Sequence, residues 1–191
     1  MSLKDRLLLR MFGRPQGLPG RLGGRILARG NRKFAEEVIA MLDIGPSERI
    51  LEVGFGPGVA IELLASKATA GKVAGIDVSQ EMVEQASARN AAAIRAGAVD
   101  LRHGTVERMP FEDAAFDLAL AINSMQVWPD VDGGLREIRR VLKAGGRIAL
   151  AFTPRSGQPK TGVTERLGKA GFVDARLAEL RGGFCALARN P

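Results

Sequence analysis

Two hydrophobic rhythms alternate along this chain. Stretches that are apolar at successive positions, such as Ile50, Leu51 and Val53, read as strands covered on both faces, since a strand with one wet face alternates instead. Strands are likewise predicted over 72–78, 99–104 and 116–122, from Arg147 to Leu150, and over 172–178 and 184–189. Between them the period lengthens. Phe34, Val38, Met41 and Leu42 follow helical spacing, as do Val59–Leu64, the group Met82, Val83 and Ala86, the group Leu135, Ile138, Val141 and Leu142, and residues 164–170. Asn31 and Ser79 stand where helix caps are needed, and Gly45-Pro46 and Gly145-Gly146 where helices should stop. Strands alternating with helices predict an α/β domain, with a parallel sheet, helices on both faces and a ligand at the carboxyl ends of the strands.

The first 33 residues break this rhythm. Leu3, Leu7 and Met11 allow a short amphipathic helix, a Gly/Pro-rich segment follows, and Leu18, Leu22 and Ile26 repeat beside a row of Arg21, Arg25 and Arg29. Charge marks the same boundary: residues 1–33 hold nine Lys or Arg against Asp5 alone, so the net +7 belongs to this arm and the rest is near neutral. The expected organisation is a basic arm over 1–33 and one domain over 34–191. Such an arm fits folding over a ligand, or contact with nucleic acid or an anionic membrane.

Composition narrows the class. With 191 residues, 46% of them hydrophobic, the chain has the make-up of an ordinary globular protein long enough for one full core. No apolar run approaches the ~20 residues that span a bilayer, and the N-terminus lacks the apolar core of a secretory signal, so the cytoplasm is the expected compartment. Cys185 is the one cysteine, which leaves no internal disulfide and no multi-cysteine metal cage. No metal site is expected.

The candidate chemistry sits where the first strand ends. Gly54, Gly56 and Gly58 form a turn ahead of an apolar helix, and glycine serves where a backbone takes positive φ or approaches a ligand closely. A dinucleotide site would space them Gly-x-Gly-x-x-Gly, whereas Val59 stands at the last position here. Glu52 would repel a pyrophosphate and suits a cation. Asp77 lies 21 residues after Gly56, near the ~20-residue offset at which an acid reaches ribose hydroxyls.

Glu52-x-Gly54-x-Gly56-x-Gly58 resembles motif I of the class I S-adenosylmethionine-dependent methyltransferases, and Gly75–Ala86 resembles their motif II. Gly104-Thr-Val-Glu-Arg-Met-Pro-Phe111 is similar to a further family segment, with Thr105 where relatives usually carry Asp, and Leu135–Gly146 matches the family's Arg-Val-Leu-Lys-Pro-Gly-Gly helix end with Ala144 in place of Pro. The resemblance implies a Rossmann-like seven-stranded, mostly parallel sheet in the order 3-2-1-4-5-7-6, as a single domain. It implies S-adenosylmethionine as cofactor, held by Glu52, Gly54, Phe55, Gly56, Gly58, Asp77, Val78, Thr105, Val106, Glu107 and Asn123, with Gln126 and Trp128 facing the methyl acceptor. Thr105 would accept the adenine hydrogen bond through an uncharged hydroxyl, a weaker bond than a carboxylate makes. His103 would flank the adenine.

Methyl transfer is an in-line displacement for which the cofactor brings the reactivity, and no catalytic base stands out: there is no Tyr, and the one His lies on the wrong side. The expected activity is methylation of a small-molecule O, N or C acceptor. RNA or lipid-headgroup methylation through the basic arm is one alternative, and a non-catalytic SAM-binding or partner-binding protein another. A homodimer stays open.

Overall fold

The structure is a computed structural model that describes residues 32–191. The helices expected before residue 32, and the Asn31 cap, lie outside the described residues.

A helix over 32–41 (α1) opens the described chain, followed by β1 (Arg49–Val53), α2 (Val59–Lys67), β2 (Lys72–Asp77), α3 (Gln80–Arg89), the short α4 (Ala91–Arg95) and β3 (Val99–His103). Then come β4 (Phe116–Ile122), a 3-10 turn over Met125–Val127, α5 (Val131–Val141) and β5 (Leu142–Phe152). A second 3-10 turn, Pro154–Ser156, leads to α6 (Val163–Lys169), β6 (Val173–Leu180) and β7 (Gly183–Arg189).

The seven strands form one sheet in the order β3-β2-β1-β4-β5-β7-β6, with β7 alone running against its neighbours. This is the Rossmann-like order that the resemblance implied. Successive residues of one strand point to opposite faces, and both faces are covered. Ile50, Leu118, Leu120 and Ala149 pack with Phe34 and Val38 of α1, Leu42 just after it, and Ile61 and Leu64 of α2. Leu51, Val53, Ala119 and Ile148 pack with Leu135, Ile138 and Val141 of α5 and Leu167 of α6. Each such large side chain removed from water contributes roughly 1.5–3 kcal/mol, which is why the strands carry apolar residues at consecutive positions. Cys185 lies in this core, and burial pushes its thiol up to about 12, so it behaves as a small apolar residue.

Polar clasps fix the strand register. Asp117 on β4 accepts from the Arg49 backbone N–H at 2.8 Å and from Lys143 Nζ at 2.7 Å, joining β1, β4 and β5 at their lower edge. Both partners hold its carboxyl below the usual range against the opposing push of burial. Glu37 of α1 accepts from the backbone N–H groups of Arg181 (2.6 Å) and Gly182 (3.3 Å), fastening that helix to the turn between β6 and β7.

The junction between α5 and β5 differs most from the sequence reading. The helix expected to run to Gly145-Gly146 stops at Val141, and β5 already begins at Leu142. Leu142 pairs with Phe116, and its carbonyl accepts from the buried Asn190 side chain at 2.9 Å, so contacts distant in sequence capture residues that local spacing assigned to the helix. The ladder then skips, Leu118 facing Arg147, and the glycine pair occupies the irregularity.

Candidate functional site

The order of the sheet reverses beside β1: β2 lies on one side of it and β4 on the other, and the crevice outside their carboxyl ends is where open α/β sheets bind ligands. A cavity of about 610 Å³ opens there, lined by the ends of β1, β2, β4 and β5 and the loop after β3. That lies within the ~300–1,000 Å³ of small-molecule sites.

The turn after β1 has the backbone its glycines allow. Gly54 has φ +72°, and a Cβ there would lie 2.1 Å from Ser124 Oγ, so the strand tip and the β4 loop meet with no room for a side chain. Gly58, at φ +77°, is the residue before the first turn of α2, and a Cβ on it would lie 2.6 Å from Ala86 Cβ. Gly56 donates its N–H to Asp77 Oδ2 at 2.8 Å, and Ser79 donates its N–H to Oδ1 at 2.9 Å. Asp77 is therefore locked in place at the tip of β2. Burial pushes its carboxyl up, while the N–H donors of Ser79 and Gly56 pull it back. Ser79 also caps α3 as its position promised, accepting from the Met82 N–H.

Glu52 is the most unusual group in the cavity wall. It is 3% exposed, and among the described residues its Oε2 is a buried acceptor without a hydrogen-bond partner. Burial pushes its carboxyl well above the ordinary range, and the negative charge of Asp77 adds to the shift. A cation entering the cavity would remove this penalty.

The other predicted residues divide. Val78 lines the cavity and is 56% exposed, an apolar platform beside Asp77. Thr105, Val106 and Glu107 line the same end, in a tight turn closed by the Thr105–Arg108 bridge. Glu107 Oε1 also accepts from the Asp130 N–H at 3.4 Å, and His103 Nε2 lies 3.0 Å from the Val78 carbonyl oxygen. Phe55 lines the cavity too, but it is buried in the core and packs against Gly75, where a Cβ would meet its ring at 2.5 Å.

At the β4 end, Asn123 takes left-handed backbone at φ +49°, which Asn tolerates, and its Oδ1 accepts from Thr153 N at 2.8 Å and Oγ1 at 3.1 Å. Its side chain thus ties the tip of β4 to the tip of β5. Gln126 Nε2 donates to the Asn123 carbonyl at 2.7 Å, leaving its buried Oε1 without a partner among the described residues. Trp128 packs on the core, donates Nε1–H to Ser124 Oγ at 2.8 Å and still lines the cavity. Ala35, Ser124, Val127, Thr153 and Arg155 also line it, none of them singled out by spacing or motif.

The methyltransferase domain family matches residues 51–150, more than half of the chain. The chain belongs to the S-adenosylmethionine-dependent methyltransferases. The methyltransferase YdaC of Bacillus subtilis, itself uncharacterized, is 30% identical over 182 residues, covering 89% of this chain and 98% of its own length. A C-methyltransferase of ubiquinone and menaquinone biosynthesis, UbiE of Geotalea daltonii, is 35% identical over 135 residues, which are 69% of this chain and 57% of that protein. Among solved structures, a methyltransferase from Aquifex aeolicus has a TM-score of 0.72 at 22% identity, covering 81% of this chain and 87% of that one.

The methyltransferase cavity fits its cofactor on the structure's own terms. An orphaned buried carboxylate oxygen suits a molecule bearing an ammonium and a sulfonium, and an anchored Asp77 keeps lone pairs for ribose hydroxyls.

Proposed function

We propose that this methyltransferase acts on a small-molecule O, N or C acceptor seated at the β4–β5 end of the cavity. The supporting observation is that one continuous cavity contains both the Glu52–Asp77 end and the Gln126–Trp128 end, so donor and acceptor can share a single enclosure. When bound, the cofactor supplies a methyl carbon made electrophilic by the sulfonium. The chain's residues hold and exclude. Asp77 orients the ribose, Val78 and the Thr105–Val106 turn border the adenine, and Glu52 balances positive charge in a dry wall. Asn123 fixes the β4 and β5 tips against which the acceptor rests. Holding reactants in line can supply ~7–11 kcal/mol of the barrier, so positioning suffices where the acceptor atom is itself nucleophilic. Among the described residues, none that lines the cavity is His, Lys, Tyr or Cys, which favours such an acceptor.

We further propose a cytoplasmic enzyme in which the basic arm over 1–33 is accessory to the domain over 34–191. No helix among the described residues is long and apolar enough to cross a membrane. The test offers S-adenosylmethionine with a labelled methyl group to metabolite, RNA and lipid pools, using the natural chain and one with Arg21, Arg25 and Arg29 changed to Gln. Label entering the metabolite pool with both proteins supports the reading. Label entering only RNA or lipid, and lost with the three arginines, would replace it with the polyanion alternative.

A further inference from the structure

Charge is unevenly placed along the cavity. The acids that line it, Glu52, Asp77 and Glu107, belong to the ends of β1 and β2 and the loop after β3, while Arg155, which follows β5, is the one base among the described residues of its wall. Sheet order separates them: β5 lies two strands from β1 and three from β2. At ~4.8 Å per strand, the end of β5 stands roughly 10–15 Å from the ends of β1 and β2, and Arg155 forms an ion pair with none of the three acids. Among the described residues it has no hydrogen bond or ion pair of its own, unlike Arg140, Arg147 and Lys143, which are each consumed by nearby carboxylates. Between the acids and this arginine the wall is mixed, with Asn123, Ser124, Gln126 and Thr153 beside Trp128, which is half-buried, and Val127, which is 53% exposed.

An exposed apolar side chain and a guanidinium without a partner among the described residues, both in one cavity wall, describe the complement of an amphipathic anion. Arginine is suited to it, because its planar fork binds carboxylate and phosphate through two parallel hydrogen bonds. We propose that the methyl acceptor bears an oxyanion, a carboxylate or a phosphate, that pairs with Arg155 while its apolar part lies on Val127 and Trp128. This rests on the methyltransferase reading and adds the chemical class of the substrate. The cationic donor and the anionic acceptor are then sorted to opposite ends of one cavity by its charges, and neither is drawn into the other's place.

The chain contains a single tryptophan and no tyrosine, so its emission reports Trp128 alone. The experiment titrates the full chain, saturated with S-adenosylhomocysteine, with octanoate, octyl phosphate, octanol and octylamine while following that emission. Octanoate or octyl phosphate, whichever head group the site takes, is expected to give a saturable change at least about tenfold tighter than octanol, with octylamine weaker still. Arg155→Gln should bring the oxyanion down to the level of octanol, and Arg155→Lys should restore part of it, with homocysteine-cofactor affinity unchanged in both. Octanol binding as tightly as octanoate and octyl phosphate, no saturable change with any probe, or no effect of Arg155→Gln would each overturn the proposal while leaving the cofactor site standing. Failure of S-adenosylhomocysteine itself to bind would bring down both this inference and the methyltransferase reading beneath it.

Discussion

At the β1–β2 end of the cavity a buried acid is clamped by backbone N–H groups and the glycine turn is tightly packed, whereas the β4–β5 end is built largely from side chains on short turns. Asp77 is clamped by two N–H donors and Gly54 is pressed against Ser124, while Val127 stands open and Arg155 has no partner among the described residues. One end is rigid, as suits the proposed cofactor site. The other is built from positions that can change without disturbing the sheet, because a turn after a strand carries few of the contacts that hold the fold.

Substitutions should separate the two ends, and the strongest break comes at the rigid one. Gly54→Ala places a Cβ 2.1 Å from Ser124 Oγ at a φ of +72°, and overpacking together with left-handed strain should cost roughly 2–5 kcal/mol in chemical denaturation. An unchanged denaturation midpoint would show that the two strand tips are not in fixed contact.

Glu52→Gln sharpens the comparison through pH. The folded-state carboxyl titrates above its unfolded value, so the unfolded chain loses its proton first, and the ligand-free protein loses stability as pH rises from the ordinary glutamate range through the raised folded value. The Gln variant removes this slope and should melt higher at neutral pH. Binding runs the other way. A cation favours the ionised carboxylate, so S-adenosylmethionine affinity should strengthen as pH rises through the same window, and calorimetry should detect proton release. In the variant the affinity should fall about tenfold and lose its pH dependence. A variant that binds as well as the natural chain would remove Glu52 from the cofactor site.

Smaller effects are expected at the adaptable end. Trp128→Phe loses the bond to Ser124 and about 1 kcal/mol of stability, with S-adenosylhomocysteine affinity unchanged by calorimetry. A loss of cofactor affinity there would mean that the two ends are not separable. Val127→Ala should stay within about 0.5 kcal/mol of the natural stability, altering only acceptor binding.

The difference between the ends also explains what could be read in advance. Gly54, Gly56, Gly58 and Asp77 act within one strand–turn–helix–strand stretch, so their roles are written in spacing. Alternation predicted the parallel sheet, and the strand order followed from the resemblance alone. Arg155, Val127 and Ser124 come together only because β4 and β5 are neighbours, and nothing periodic marks a three-residue turn. The early start of β5 was hidden for a related reason: the Asn190 side chain that binds the Leu142 carbonyl comes from 48 residues away. Phe55 stands inside the glycine motif, yet its ring serves the core, because a motif fixes the backbone path and not the direction of every side chain along it.

The clasp from Glu37 to the turn between β6 and β7 reaches further than its two bonds. Ala35, which borders the cavity, stands two residues before that carboxylate on the same helix, and a Cβ on Gly182 would lie 2.7 Å from the ring of Phe34. This part of the cavity wall is thereby moored to the hairpin at the margin of the sheet. Moving this part of the wall therefore means breaking the Glu37 mooring, so a change at the remote hairpin would be transmitted to the cavity along the helix.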